Sequence, residues 1–404
     1  MTDQFDYVVA GGGILGLSIA RQILAVAPGA KLAILEKEES LGKHGSGRNS
    51  GVLHSGIYYP EASLKAKLCA EGAASLGRYC DERNLPISRI GKVVLPVRPE
   101  DDDTLHLLLE RARNNGATAR LLDAAELAAI EPSAHTITGR AVHVPSCSVV
   151  DSIAILKSLA ADLTGAGALL LFGHRVAAAN AEEGTVVCAN GRKIGFGHFI
   201  NAAGLHADRV AHLFGVGLEF SIMPFKGTYY DLDPALESTI RGLIYPVPDL
   251  RLPFLGVHLT KSVGGHVYLG PNALPALGRE NYGGLEGVEF GEGFAIMGRN
   301  ARQYWKNEQG FRRLVHEEVT RISKTAFVRA ANALVPTIRA EQIKRSEKVG
   351  IRAQLYDKKE QKLVMDFLVH EGPKSTHVLN AVSPGFTCGP SFGAHVVDQY
   401  LRLG

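Results

Sequence analysis

Gly11, Gly13 and Gly16 stand in the spacing G-x-G-x-x-G, and Glu36 follows twenty positions after the last of them. Those residue types at that spacing can hold a dinucleotide. Gly11 permits a tight turn, Gly13 lets backbone N–H groups approach a pyrophosphate, and Gly16 lets a helix pack closely on a strand. The N-terminus of that helix favours the phosphate charge. Glu36 would accept hydrogen bonds from a ribose and repel the 2′-phosphate of NADP. No second G-x-G-x-x-G occurs in the chain, which implies a single dinucleotide site. The glycines alone do not separate NAD from FAD.

The elements needed to position these residues are legible around them. Phe5, Tyr7, Val8, Val9 and Ala10 form the apolar run of a buried strand that leads into the glycines. Ile14, Leu17, Ile19, Ile23, Leu24 and Val26 supply the apolar positions of a helix that stops at Pro28-Gly29, and Lys31 to Leu35 read as a second strand. From Gly42 to Gly56 runs a loop with five glycines plus Ser46, Arg48, Asn49, Ser50 and Ser55. It is too long for a plain strand-to-helix connector and suits a segment that wraps a ligand.

Composition excludes several classes. A chain of 404 residues allows two to three domains at roughly 150 residues each. With 46% hydrophobic and 21% charged residues it is neither disordered nor fibrous. Lys and Arg number 44 against 41 Asp and Glu, without a long run of one sign, so nucleic acid is not an expected partner. Asp101, Asp102 and Asp103 read as a solvated helix start. Five dispersed cysteines with no CxxC pair argue against a disulfide framework or a zinc site and fit a reducing compartment; no metal centre is expected. The start lacks the features of a secretory or transit peptide, and no run of about 18 apolar residues occurs. A soluble or peripheral protein is therefore expected, cytoplasmic or docked on the inner face of the plasma membrane.

The segment Asn49-Ser50-Gly51-Val52-Leu53-His54-Ser55-Gly56-Ile57-Tyr58-Tyr59 resembles the flavin-contacting stretch of the FAD-dependent D-amino-acid oxidase and glycine oxidase superfamily. Within it the chain is most similar to the L-2-hydroxyglutarate oxidases and dehydrogenases. Pro224 to Tyr230, Ile244 to Pro248, Pro253 to Thr260, Gly270 to Ala273 and Gly350 to Gln354 extend the likeness along the chain. It departs near the C-terminus, where Asn380-Ala381-Val382-Ser383-Pro384-Gly385-Phe386-Thr387 stands in place of Asn-Ala-Pro-Ser-Pro-Ala-Ala-Thr. Strands and breakers read beside this resemblance imply an α/β fold. Residues 1–90, 145–218 and 345–404 would assemble a discontinuous Rossmann-like FAD domain. Residues 91–144 and 219–344 would form an antiparallel-sheet α+β substrate domain. A helix from Ser152 to Thr164, a strand from Phe196 to Asn201 ending at Ala202-Ala203-Gly204, and a final helix from Ser391 to Leu401 are expected in the FAD domain.

The resemblance implies FAD as cofactor, with contacts from Gly11, Gly13, Gly16, Glu36, Lys37, Ser46, Asn49, Ser50, Gly51, Val176, Ala203, Gly204, Gly385, Phe386 and Thr387. It implies oxidation of a 2-hydroxy acid, in which hydride leaves C2 for the flavin, a base takes the hydroxyl proton and a cation holds the carboxylate. His54 and His258 are the candidates for the base, since imidazole titrates near neutral pH. Arg352 is the candidate clamp, because a guanidinium matches a carboxylate with two parallel hydrogen bonds. Lys226 is proposed for the second carboxylate of a dicarboxylate substrate, with Tyr58 and Tyr245 as further polar contacts. Oxygen or a quinone would take the electrons, and a quinone would require membrane docking, although no amphipathic helix stands out in the sequence. Two other readings stay open: a superfamily member acting on an amino acid, an amine or a different 2-hydroxy acid, and a non-catalytic dinucleotide-binding protein.

Overall fold

A computed structural model describes residues 3–250, 254–307, 310–401 and 403; Pro253 of the Pro253–Thr260 segment lies outside them. Two large sheets organise the chain. The first has eight strands and is built outward from Asp3–Ala10, which pairs in parallel with Leu32–Leu35 on one side and Lys193–Asn201 on the other. Val8, Val9, Ile34 and Ile200 are fully buried there, as expected for central parallel strands covered on both faces. The strand Ser375–Asn380 joins the sheet beside Lys193–Asn201.

The helix Ile14–Val26 covers one face with Leu17, Ile19 and Ile23, all fully buried. Each such side chain contributes about 1.5–3 kcal/mol of burial. The C-terminal helix Gly389–Val396 lies against it at close range, and glycine makes that approach fit: a Cβ on Gly393 would stand 2.8 Å from the Ser18 backbone. The sequence predicts one helix from Ser391 to Leu401. Instead the α-helix starts at Gly389, with Pro390 in its first turn, and Val397–Leu401 widens into a π-helical turn.

The second sheet has ten strands and is antiparallel apart from the pair Leu243–Pro246 and Lys92–Leu95, which runs parallel. Its longest pairing joins Phe220–Leu232 to Ile343–Asp357, with Phe225 opposite Arg352. Residues from 345 onward were expected with the dinucleotide-binding segments. The strand Ile343–Asp357 hydrogen-bonds into the second sheet instead, and the chain returns to the first sheet at Leu368–Gly372. Three helices cover this region, Phe290–Lys306, Phe311–Thr320 and Lys324–Asn332. Asp101 is also not solvated. It is 3% exposed, and its carboxylate accepts from the Val97 and Arg98 N–H groups and from the Arg98 guanidinium.

A buried ion pair ties the sheets together. Arg279 donates to Asp208 and to the Leu205 carbonyl, and the second Asp208 oxygen accepts the Ile222 N–H at 2.8 Å.

Candidate active site

The first strand delivers the chain into a turn that only glycine permits. Gly11 has φ +112°, and a Cβ on it would lie 2.4 Å from the Ala202 carbonyl oxygen. At Gly16 a Cβ would lie 1.9 Å from the Gly11 oxygen, so helix and strand could not meet. Ser46 reaches back from the long polar loop and accepts the Ile14 N–H at 3.0 Å, at the helix N-terminus. Glu36 ends the second strand with both carboxylate oxygens fixed, one by the Gly12 N–H and one by the Glu38 N–H, each at 2.9 Å. The loop is held in shape by Asn49, which donates to the Ser46 carbonyl at 2.7 Å and accepts the Gly51 N–H at 2.7 Å.

These groups line one end of a continuous cavity of about 570 Å³. Of the proposed cofactor contacts, Gly11, Gly13, Glu36, Lys37, Ser46, Asn49, Ser50, Val176, Ala203, Gly204, Gly385, Phe386 and Thr387 line it. Gly16 and Gly51 do not; they shape the backbone behind it. Gly51 has φ +74°, with a Cβ site 2.6 Å from the Val150 carbonyl oxygen.

The second sheet supplies the other end. Tyr245, His258 and Arg352 face the same cavity, together with Phe225, Tyr229, Phe254 and Asn272, and His54 joins them from the segment after Val52–Leu53, a strand that pairs outside this sheet. His258 is 5% exposed, and its Nδ1 lies 2.8 Å from the Gly256 carbonyl oxygen. A carbonyl only accepts, so Nδ1 carries the hydrogen and Nε2 is the basic nitrogen. The ring stacks on Tyr245 at 4.0 Å between centroids. Burial, with the nearby charges of Lys92 and Arg352 adding to it against the Gly256 hydrogen bond, pushes the His258 pKa down to about 4. Burial and the charges of Lys92, His258 and Arg352 push His54 down to about 3. Both imidazoles are therefore unprotonated at neutral pH.

Thr387 links the C-terminal turn to His54: its hydroxyl oxygen accepts the His54 N–H at 3.1 Å and its hydroxyl donates to the Val52 carbonyl at 3.3 Å. Burial draws the Arg352 guanidinium below its ordinary value, and it lies 4.9 Å from the Phe254 ring centre.

Two proposed substrate contacts fall elsewhere. On the strand Phe220–Leu232 the alternation of side chains turns Phe225, Gly227 and Tyr229 to the cavity. Lys226 therefore points to the other face, where its ammonium donates to Asn281 Oδ1 at 2.9 Å. Tyr58 is buried behind the cavity wall and its hydroxyl has no hydrogen-bond partner among the described residues. Beside it lies Lys92, which sequence reasoning missed. It is 1% exposed, with its ammonium 4.5 Å from the Tyr58 ring centre and 5.3 Å from that of Tyr245. A lysine on a strand reads as solvated, so nothing local marks it. Tyr229 and Asn272 sit inside the family-like segments and could have been chosen there.

Among the described residues one trio, Glu38, His44 and Glu280, could group around a cation. Lys37 pairs with both acids and His206 with Glu280 at 2.7 Å, which makes the trio part of an ion-pair network.

FAD fits these residues on three observations: a glycine turn that a Cβ would fill, a carboxylate pinned at the cavity edge, and a buried His54 Nδ1 with no hydrogen-bond partner among the described residues. A parallel-stranded dinucleotide fold whose cavity runs on into an antiparallel sheet bearing a histidine and an arginine defines a two-part oxidoreductase. The chain belongs to the FAD dependent oxidoreductase family, which it matches over residues 6–399. It is 37% identical over 409 residues to an L-2-hydroxyglutarate dehydrogenase of Indibacter alkaliphilus, covering 98% of this chain and 99% of that one. To the mitochondrial L-2-hydroxyglutarate dehydrogenase of Homo sapiens it is 34% identical, covering 98% and 89%. L-α-glycerophosphate oxidase from Mycoplasma pneumoniae, solved with FAD bound, shares the fold with a TM-score of 0.77 at 20% identity, covering 98% and 95%.

Proposed function

We propose that this FAD-dependent oxidoreductase converts L-2-hydroxyglutarate to 2-oxoglutarate and passes the electrons to oxygen or a quinone. The observation that carries the reading is the shared cavity, in which the dinucleotide cradle meets His258 and Arg352. The names of the full-length relatives supply the substrate. Bound FAD supplies the acceptor for the C2 hydride.

The chain's own residues do the rest. Arg352 holds the carboxylate next to the hydroxyl-bearing carbon with its two parallel N–H groups. His258 Nε2 takes the hydroxyl proton, while the Gly256 carbonyl holds the ring in the tautomer that allows it. Phe225, Phe254 and Tyr245 exclude water from the reacting end, so the charges of Arg352 and Lys92 act at low dielectric. Arginine and the hidden lysine together oppose the two negative charges of the diacid.

One observation favours a second reading. Lys226 is turned away, so no lysine on that strand grips a distal carboxylate, and a shorter 2-hydroxy or amino acid would fit the remaining clamp. Anaerobic mixing with L-2-hydroxyglutarate, its D enantiomer, L-lactate and glycine separates the two. Bleaching of the flavin band near ~450 nm by the L-diacid alone, with 2-oxoglutarate as product, supports the first; bleaching by a shorter acid and not by the diacid overturns it.

A further inference from the structure

A second, smaller cavity of about 330 Å³ borders the loop that begins at Gly42. Its wall carries three cations, Lys43, Arg48 and Lys348, beside the Tyr268 ring, and no Asp or Glu among the described residues. None of the three has a carboxylate within ion-pair distance among those residues. Other buried or half-buried cations of the chain are paired: Lys37 with Glu38 and Glu280, Arg279 with Asp208 and Glu292.

Local structure aims these cations. The pairing of Phe220–Leu232 with Ile343–Asp357 slips between Thr228 and Tyr230, whose partners Val349 and Arg345 are four positions apart instead of two. Such a bulge re-aims the side chains it contains. Lys348 is one of them, with its N–H held by Ser346 Oγ at 3.2 Å and its ammonium 4.5 Å from the Tyr268 ring centre. Burial draws its pKa below the ordinary value against the charge of Asp231. The Arg48 guanidinium lies 4.1 Å from the Tyr282 ring centre and donates to the Lys43 and Val349 carbonyls. Its other N–H groups remain for a ligand. Gly350 lets the loop come this close to the strand, since a Cβ there would stand 2.7 Å from the Arg48 carbonyl oxygen.

A lysine point charge and an arginine fork are the two devices that hold phosphate and carboxylate oxygens. An apolar occupant would leave the charges unanswered. Lys348 is four residues from Arg352, roughly 13 Å along an extended strand, too far for one short diacid to touch both. The two cavities share Gly42, Lys43 and Arg48, and Ser46 of the same loop accepts the Ile14 N–H in the dinucleotide cradle. We infer that the second cavity binds a small dianion, phosphate or a short dicarboxylate, and that its binding steadies the loop over FAD. The inference is independent of which acid is oxidised.

The holoprotein is titrated calorimetrically with inorganic phosphate and with succinate in a low-salt zwitterionic buffer, and FAD release is followed by flavin fluorescence with and without each anion. Saturable binding of either supports the site, and the tighter of the two gives the ligand's class. Lys348→Met should weaken binding at least ~10-fold, whereas Arg352→Lys should not change it. Flavin reduction by Lys348→Met without added anion should keep its unmodified rate. The bound anion should slow FAD release roughly 5-fold, and Lys348→Met should abolish that effect. Three results would overturn the inference: no saturable binding of either anion, binding that Arg352→Lys removes and Lys348→Met does not, or FAD release indifferent to a bound anion.

Discussion

Replacing His258 with Gln tests the assignment of the base. Gln keeps much of the bulk and can still donate to the Gly256 carbonyl, but it has no basic nitrogen. A positioned general base is worth about 10²–10⁴ in rate, so anaerobic flavin reduction by the proposed substrate should slow at least ~100-fold with little change in substrate affinity. The pH profile sharpens the test. With a pKa of about 4, His258 is about 99% neutral at pH 6. The apparent second-order rate of reduction by the unmodified protein should therefore be flat from pH 8 to pH 5. An ordinary imidazole titrating near ~6.5 would make the same rate fall ~30-fold over that range. The linked stability has a definite sign: the unfolded chain binds this proton more readily, so stability drops as pH falls from about 6.5 toward 4 and is retained above. Stopped-flow bleaching under nitrogen reads both rates. Full-speed reduction by the Gln variant, or a wild-type inflection near 6.5, refutes the reasoning.

Arg352→Lys should weaken substrate binding roughly 10-fold, because a fork that matches a carboxylate becomes a point charge; equilibrium titration with 2-oxoglutarate measures it. Glu36→Ala removes the acceptor of the Gly12 and Glu38 N–H groups and should raise the FAD dissociation constant, read by flavin fluorescence on reconstitution. Lys92→Met deletes a buried charge that disfavours protonation of both histidines, so the acid limb of the rate profile should move to higher pH. Asp208→Asn removes one of the two carboxylates paired with the buried Arg279 cation, Glu292 being the other, and should cost about 1.5–3 kcal/mol in denaturant unfolding. Although burial opposes it, the Arg279 pairing holds the Asp208 carboxyl below its ordinary range. Stability from that pair is therefore present above about pH 3.9 and lost as pH falls toward the native value.

What was legible in the sequence was local. Gly11, Gly13, Gly16 and Glu36 carry their geometry in their spacing, and each occupies the turn or strand end that the spacing requires. Failures came where a residue's role depends on a distant partner. The phase of the strand around Lys226 is set by pairing with residues more than a hundred positions away, and a shift of one turns every side chain to the other face. The same pairing took Ile343–Asp357 into the second sheet. Lys92 became visible only when Tyr58 and Tyr245 closed over it. The stripe from Phe290 to Trp305 has the periodicity of a core face, and only the packing of Ile296 and Gln303 shows that it points outward.

The central claim is that one cavity holds the dinucleotide cradle, a neutral imidazole base and an arginine clamp around a single reacting carbon. A crystal structure of the protein with FAD and 2-oxoglutarate tests it most directly. The account predicts the carboxylate next to the ketone paired with Arg352 and the ketone oxygen within hydrogen-bond reach of His258 Nε2. A ketoacid bound with Arg352 disengaged, or with that oxygen turned to a different group, would contradict it.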